Sequence, residues 1–289
     1  MKILRVFPRK TKATPLDENV VINRMPNLFD EAEQINTSPQ INISVTFSWD
    51  IPRAEKLYYA WQHIFPNVNY GGPAFNEPSG EFDPGMYLKE GYTITSRGCP
   101  NKCWFCSVWK REPKLKELEI KPGYNILDDN LLACSDQHIK DVFEMLKQQR
   151  EPAIFSGGIE AKLLKPWHID LFASIRLKEL FCAYDTPDDY EPLIEAGKML
   201  KQANITLENR KARAYVLIGY PKDTIEKAEK RINQTIRAGF FPFAMRYQDK
   251  DGVVLKERKW NLFQREWANP IIIAANCKKI NTYKFSINE

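Results

Sequence analysis

The chain has 289 residues, of which 43% are hydrophobic and 27% charged, and a formal net charge of +5. These values describe a globular protein with a sizeable core and exclude a mainly disordered chain. The longest apolar runs, such as Ile271 to Ala275, are too short for a membrane span, and Lys2, Arg5, Arg9 and Lys10 break up the start where a secretory segment would be apolar. The expected setting is the cytosol, with no membrane contact, where six cysteines are thiols or metal ligands rather than disulfides. The mild positive excess permits a polyanionic partner without requiring one.

In chain order, Ile41 to Phe47 reads as a strand, Pro52 to Phe65 as a helix with proline near its start, and Val68 to Tyr70 as a second strand before Gly71 and Gly72. That is one βαβ unit, too little for a full nucleotide domain. The stretch "GGPAFNEPSGEFDPG" then reads as a linker.

A different plan follows, in which short β-rich runs alternate with loops and helical periodicity. The strand candidates are Tyr92 to Thr95, Asn125 to Asp128, Ala153 to Ser156, Leu180 to Asp185, Ala214 to Gly219 and Phe243 to Tyr247. Ser135 caps a helix whose apolar face is Ile139, Val142, Phe143 and Leu146. Thr186, Pro187 and the acids Asp188 and Asp189 form a second helix start. Asp223 or Thr224 opens a third, which Gly239 ends. The first crossover, Ser107 to Gly123, has no clean amphipathic helix, and "LKELEI" within it has extended character. Trp260 to Trp267 is a helix candidate, and the last twenty residues carry no assignment.

The expected fold class is therefore α/β: a partial (β/α)6 TIM-type barrel over 89–250, a small Rossmann-like βαβ remnant over 1–88, and a C-terminal extension over 251–289.

Residues 95 to 110, "TSRGCPNKCWFCSVWK", place Cys99, Cys103 and Cys106 within eight residues. Structural zinc takes four ligands, usually as two pairs. Here Cys134, Cys182 and Cys277 are isolated, and His63, His138 and His168 form no pair. Electron-transfer clusters also take four cysteines. Three thiolates on a cubane leave one iron open to another ligand.

Cys99, Cys103 and Cys106, with Phe105 just before the last, match CxxxCxxC and resemble the radical S-adenosylmethionine superfamily. The resemblance implies a [4Fe-4S] cluster on the three cysteines, whose fourth iron is chelated by the amino and carboxylate groups of S-adenosylmethionine. It implies an enzyme that cleaves S-adenosylmethionine reductively to a 5'-deoxyadenosyl radical, which abstracts hydrogen from a substrate. A reductant such as flavodoxin or ferredoxin is then a partner. The motif lies just after the first barrel strand, at the end where parallel barrels carry their sites.

The same resemblance picks out further positions. "FSGGIE" is similar to the family's GGE motif with one residue inserted, so Gly157, Gly158 and Glu160 are expected beside the methionine part of the cofactor. Asp185 in "CAYDTPDD" falls where relatives place a polar group for ribose or substrate, and Ile218 and Gly219 in "YVLIGYP" fall along the adenine. Met245 ends the sixth strand and closes the same pocket. Cys134 stands where a cysteine could donate a hydrogen atom to a product radical, as some members of the superfamily do, against the plainer role of a buried apolar side chain.

"INISVTFSWDIPRAEKLYYAW" and "NYGGPAF" resemble the shortened N-terminal region of proteins related to the cobalamin-binding subgroup, yet the DxHxxG pattern is absent. Cobalamin is therefore not expected. The substrate stays open among a nucleotide or nucleic acid base, a peptide and a small metabolite. The rival reading is a non-catalytic iron-sulfur or zinc module that interacts with nucleic acid.

Overall fold

The computed structural model describes residues 2–27, 30, 39–77 and 80–285, with 278–285 by backbone alone. Residues 78–79 of the expected linker and 286–289 of the tail lie outside the described residues. The chain divides into two compact units, one of 1–123 with 250–252 and one of 124–249 with 253–289.

The first unit is built on a parallel sheet of four strands, β1 (Ile3–Phe7), β2 (Val20–Ile22), β3 (Gln40–Ser44) and β4 (Val68–Gly71), in the order β2-β1-β3-β4. The helix α1 (Ile51–Gln62) has Pro52 in its first turn, where the missing N–H costs nothing, and buries Ala54, Leu57 and Trp61. These pack with Val6, Ile41, Ile43 and Phe65.

The expectation of a single βαβ unit is thus corrected: two further strands precede it. Arg5 hides the first of them by interrupting an otherwise apolar run. Its side chain is 7% exposed, donates to the carbonyls of Gly85 (2.8 Å) and Met86 (2.6 Å), and pairs with Asp17. A buried cation supplied with acceptors is compatible with a strand interior.

Further along the same unit come three short strands, β5 (Tyr92–Thr93), β6 (Ser96–Arg97) and β7 (Lys116–Glu117), with a one-turn helix, α2 (Val108–Arg111). The first crossover is accordingly an irregular excursion rather than a barrel helix.

The second unit alternates strand and helix: β8 (Asn125–Ile126), α3 (Asp136–Lys147), β9 (Ala153–Phe155), α4 (Pro166–Ala173), β10 (Leu177–Tyr184), α5 (Tyr190–Gln202), β11 (Ala212–Ile218), α6 (Ile225–Arg237) and β12 (Phe241–Arg246). Two helices, α7 (Arg258–Ala268) and α8 (Pro270–Phe285), end it. Neighbouring strands from β8 to β12 pair in parallel and in sequential order. The architecture is α/β with a parallel sheet.

Helix starts are where the capping residues place them. The Ser135 hydroxyl accepts the His138 N–H at 3.2 Å, and Thr224 accepts that of Lys227 at 3.3 Å. Thr186 opens a 3-10 turn, Pro187–Asp189, which leads into α5. α6 buries Ala228, Ile232 and Ile236 against Val216, Ile218, Ala244 and Trp260. Among the described residues no helix is long and apolar enough to cross a membrane.

Candidate cofactor site

The cysteine triplet occupies an excursion from a two-residue ladder. Ser96 faces Glu117 and Arg97 faces Lys116 in antiparallel register, so residues 98–115 loop out between them. The loop turns on Gly98, which has φ +89, and a Cβ there would stand 2.4 Å from the Lys114 carbonyl oxygen. Only glycine fits both the left-handed backbone and the contact.

Within the loop, the Cys103 carbonyl accepts the Cys106 N–H and the Trp109 Nε1–H, each at 3.1 Å. The Val108 N–H, at the start of α2, donates to Cys106 Sγ at 3.4 Å. A backbone N–H on sulfur is a contact that a metal-bound cysteine can keep.

Burial separates the cysteines into two sets. Cys99, Cys103 and Cys106 are partly exposed free thiols, whereas Cys134, Cys182 and Cys277 are buried. Burial pushes the Cys182 thiol up to about 12 and that of Cys277 to about 11, which keeps both protonated and unreactive. Cys134 follows the 3-10 turn Leu131–Ala133 and is 8% exposed.

The donor set of the loop suits an iron-sulfur cluster: three reachable thiols on one segment, one of them with a backbone N–H on its sulfur. Among the described residues no three His, Cys, Asp or Glu side chains converge as a single metal ion would need. A zinc ion at about 2.3 Å from each sulfur requires that convergence.

The remaining predicted positions belong to the second unit. Gly157 donates its N–H to the Ile126 carbonyl at 3.0 Å, and a Cβ on it would lie 2.3 Å from the Asp128 oxygen. Close packing of β9 on the end of β8 therefore demands this glycine. Gly158 has φ +104, which favours glycine, and a Cβ there would only touch the Phe181 carbonyl oxygen at 3.8 Å, so the backbone conformation rather than space calls for glycine. Glu160 accepts a hydrogen bond from the Asn130 side chain at 2.6 Å, which ties it to the loop after β8.

Asp185 lies just past β10 and is partly buried. Its carboxyl is pushed up to about 7, first by burial and then by the charge of Asp189, against the Leu217 N–H and the Arg231 charge. It is a group that changes protonation near neutral pH.

Gly219 and Ile218 differ in what they offer. The Ile218 side chain is 0% exposed and belongs to the core, and its carbonyl accepts the Tyr247 N–H at 2.8 Å. Side chains alternate along a strand, and the even positions of β11 face the helices. The apolar contact expected from Ile218 is thus not available from its side chain. Gly219 gives its N–H to Asp223 at 2.8 Å, inside a buried network in which Arg231 of α6 donates to the Leu217 carbonyl and to both Asp223 oxygens.

Parallel register sets Ala183, Tyr215 and Phe243 in one row and Leu217 beside Met245 in the next. Met245 is 43% exposed and Ala183 is exposed, so this face of the sheet is accessible near the strand ends. Phe181 stacks on Tyr215 at 4.4 Å, and Arg213 lies over the Phe181 ring while pairing with Glu179 at 3.0 Å. Sequence reading singled out none of these four. A charged and an aromatic residue alternating with the small side chains at the start of β11, "ARAYVLI", are the signal that identifies Arg213 and Tyr215; Glu179 and Phe181 of β10 follow only from the register.

In the first unit the strand order reverses between β1 and β3, the position where open parallel sheets bind ligands. The crevice there is lined by Thr11, Thr14, Ser44 and Thr46 and spanned by the chain's own ion pair, with Arg9 on Asp50 at 2.8 and 2.7 Å.

Comparison with known proteins finds no family model and no curated sequence that the chain matches.

Proposed function

We propose that this chain is a radical S-adenosylmethionine enzyme with one [4Fe-4S] cluster. The observation that carries the reading is the partition of the cysteines: three partly exposed thiols on a single hairpin loop in CxxxCxxC spacing, and three others buried elsewhere. When bound, the reduced cluster supplies one electron to the sulfonium of the cofactor, releasing methionine and the 5'-deoxyadenosyl radical that abstracts a substrate hydrogen.

The chain's own residues do the rest. Cys99, Cys103 and Cys106 hold the cluster, and the Val108 N–H moderates charge on one sulfur. In the second unit the resemblance assigns Gly158 to the amino acid part of the cofactor, Asp185 to the ribose hydroxyls, from which it accepts once ionised, and Gly219 and Met245 to the adenine. Sequential parallel order over the five strands β8 to β12 supports a partial barrel as the frame. Hydrogen abstraction fits a nucleotide, peptide or small-metabolite substrate, and the exposed sheet face with Tyr215 and Phe243 favours a planar or apolar group.

The test is anaerobic reconstitution with iron and sulfide, reduction, addition of S-adenosylmethionine and quantification of 5'-deoxyadenosine. Wild type is expected to form it and the Cys99→Ala/Cys103→Ala/Cys106→Ala variant to form none. A fully loaded wild-type cluster that neither binds nor cleaves S-adenosylmethionine would reject the reading.

A further inference from the structure

A guanidinium taken out of water is ordinarily paired with an acid. Arg5 has Asp17 and Arg231 has Asp223. Arg246, the last residue of β12, has no such partner: it is 8% exposed, and among the described residues no carboxylate pairs with it. Its Nη1 donates to the Asn261 side-chain oxygen, while Nε and Nη2 are buried and bond to nothing. A buried charge calls for an opposite charge as well as for acceptors, and water supplies only the acceptors.

The Arg246 side chain reaches the start of a helix. Asn261 lies in the first turn of α7, where no side chain caps the leading N–H groups and no acid is present. Those N–H groups and the helix dipole make this end positive. Trp260, the residue before Asn261, is fully buried, and its Nε1–H also has no partner. Two exposed acids adjoin Lys259 without serving Arg246: Glu257 pairs with Lys259 at 2.9 Å, and Glu226 bonds to Thr224 at the start of its own helix. Register sets Arg246 beside Ile218, and a Cβ on Gly219 would stand 3.5 Å from the Trp260 ring. The three orphan donors therefore share the corner where β11, β12 and α7 meet.

We infer that this corner is a binding site for a phosphate group. An uncapped helix N-terminus and a guanidinium with two free N–H groups suit a tetrahedral oxyanion, which offers oxygens to both at once, whereas a carboxylate offers its two in one plane. The site is distinct from the pocket proposed for S-adenosylmethionine. Met245 and Arg246 are successive strand residues and face opposite sides of the sheet, Met245 on the accessible face and Arg246 on the helix side with Ala244 and Ile218. Phosphate binding here goes beyond the radical reading and needs none of its three cysteines.

The test is calorimetric titration of the full chain with inorganic phosphate, against sodium chloride at matched ionic strength, in wild type and in Arg246→Met. Wild type is expected to bind one phosphate per chain, and the variant to lose affinity about ten-fold or more. Because Arg246→Met removes a buried charge that nothing neutralises, it should melt no lower than wild type when phosphate is absent. Saturating phosphate should raise the wild-type melting temperature by about 3 °C or more, while the variant gains only the general salt effect. If Arg246→Met does not fold, Arg246→Lys keeps the charge, loses the fork and should weaken binding about ten-fold.

Glycerol 2-phosphate tells the two sources of the group apart. If it displaces inorganic phosphate, the site holds an esterified phosphate; if it does not, the site is closed around the free ion, and either result agrees with the assignment. A wild-type chain that takes up no phosphate at millimolar concentration overturns the site. So does an Arg246 variant that binds phosphate as tightly as wild type.

Discussion

The loop 98–115 and the turn 217–223 both carry candidate site residues, and they are held by opposite means. The loop turns on one obligatory glycine between the strands of a two-residue ladder, and its three cysteines remain partly exposed. The turn is fixed from behind by a buried guanidinium: Arg231 reaches the Leu217 carbonyl, the Tyr220 hydroxyl and both oxygens of Asp223, which in turn holds the Gly219 N–H. Buried charge networks have to be built complete. The difference teaches that the turn is fixed by a closed internal network before any ligand arrives, while the loop keeps its thiols within reach of what they bind.

The largest expected effect breaks the turn. Arg231→Met leaves Asp223, whose side chain is 0% exposed, as a buried charge without its partner. Removing one member of a buried pair costs about 3–5 kcal/mol. Thermal or urea unfolding should show that loss, and the double variant Arg231→Met/Asp223→Asn should recover part of it. A single variant that melts within a degree of wild type would remove the claim that the turn is over-determined.

A smaller global effect, with a larger local one, is expected in the loop. Gly98→Ala forces a left-handed alanine and drives its Cβ against the Lys114 carbonyl. Backbone strain of this kind costs about 1–3 kcal/mol where it cannot relax, and less in a loop that can shift. Unfolding should therefore change less than for Arg231→Met, while iron bound per chain after reconstitution falls by at least half. Equal melting losses for the two variants would show the loop to be as rigid as the turn.

How much of this was legible in sequence follows the same division. Strands β8 to β12 and the caps Ser135, Thr186 and Thr224 could be read because their signals are local: apolar runs, a hydroxyl before a periodic helix and a glycine after it. Strand β1 was not legible, since its buried Arg5 is satisfied by carbonyls 80 and 81 residues away. Parity along β11 likewise depends on which face the helices cover, which no spacing within "YVLIGYP" reveals, and that parity sets the Ile218 side chain in the core. The cysteine spacing was plain, but that Gly98 is required by the Lys114 carbonyl depends on the pairing of β6 with β7.

The smallest effect sharpens the comparison at the edge of the preformed turn. Asp185 reaches the Leu217 N–H, yet burial and the Asp189 carboxylate raise its folded value to about 7 from an ordinary 3.8. Asp189 is held in place by its own cap, accepting from the Asp185 and Thr186 N–H groups at 3.1 and 2.8 Å, so it cannot swing away to relieve the repulsion. A raised carboxyl contributes stability that is fully present below the unfolded value and is lost as pH rises through the folded one. The loss therefore falls between about pH 4 and 7. Because the group is partly exposed, solvent screening reduces it to the order of 1 kcal/mol. Asp185→Asn lacks this titration, so its melting temperature should gain on wild type steadily from pH 4 to 7 and hold the gain above. The same substitution removes the acceptor proposed for the ribose, so S-adenosylmethionine affinity should fall in the variant even where its stability has improved. A stability difference that stays flat across that range would mean that the charge of Asp189 and the burial around β10 do not act on Asp185 as the geometry requires.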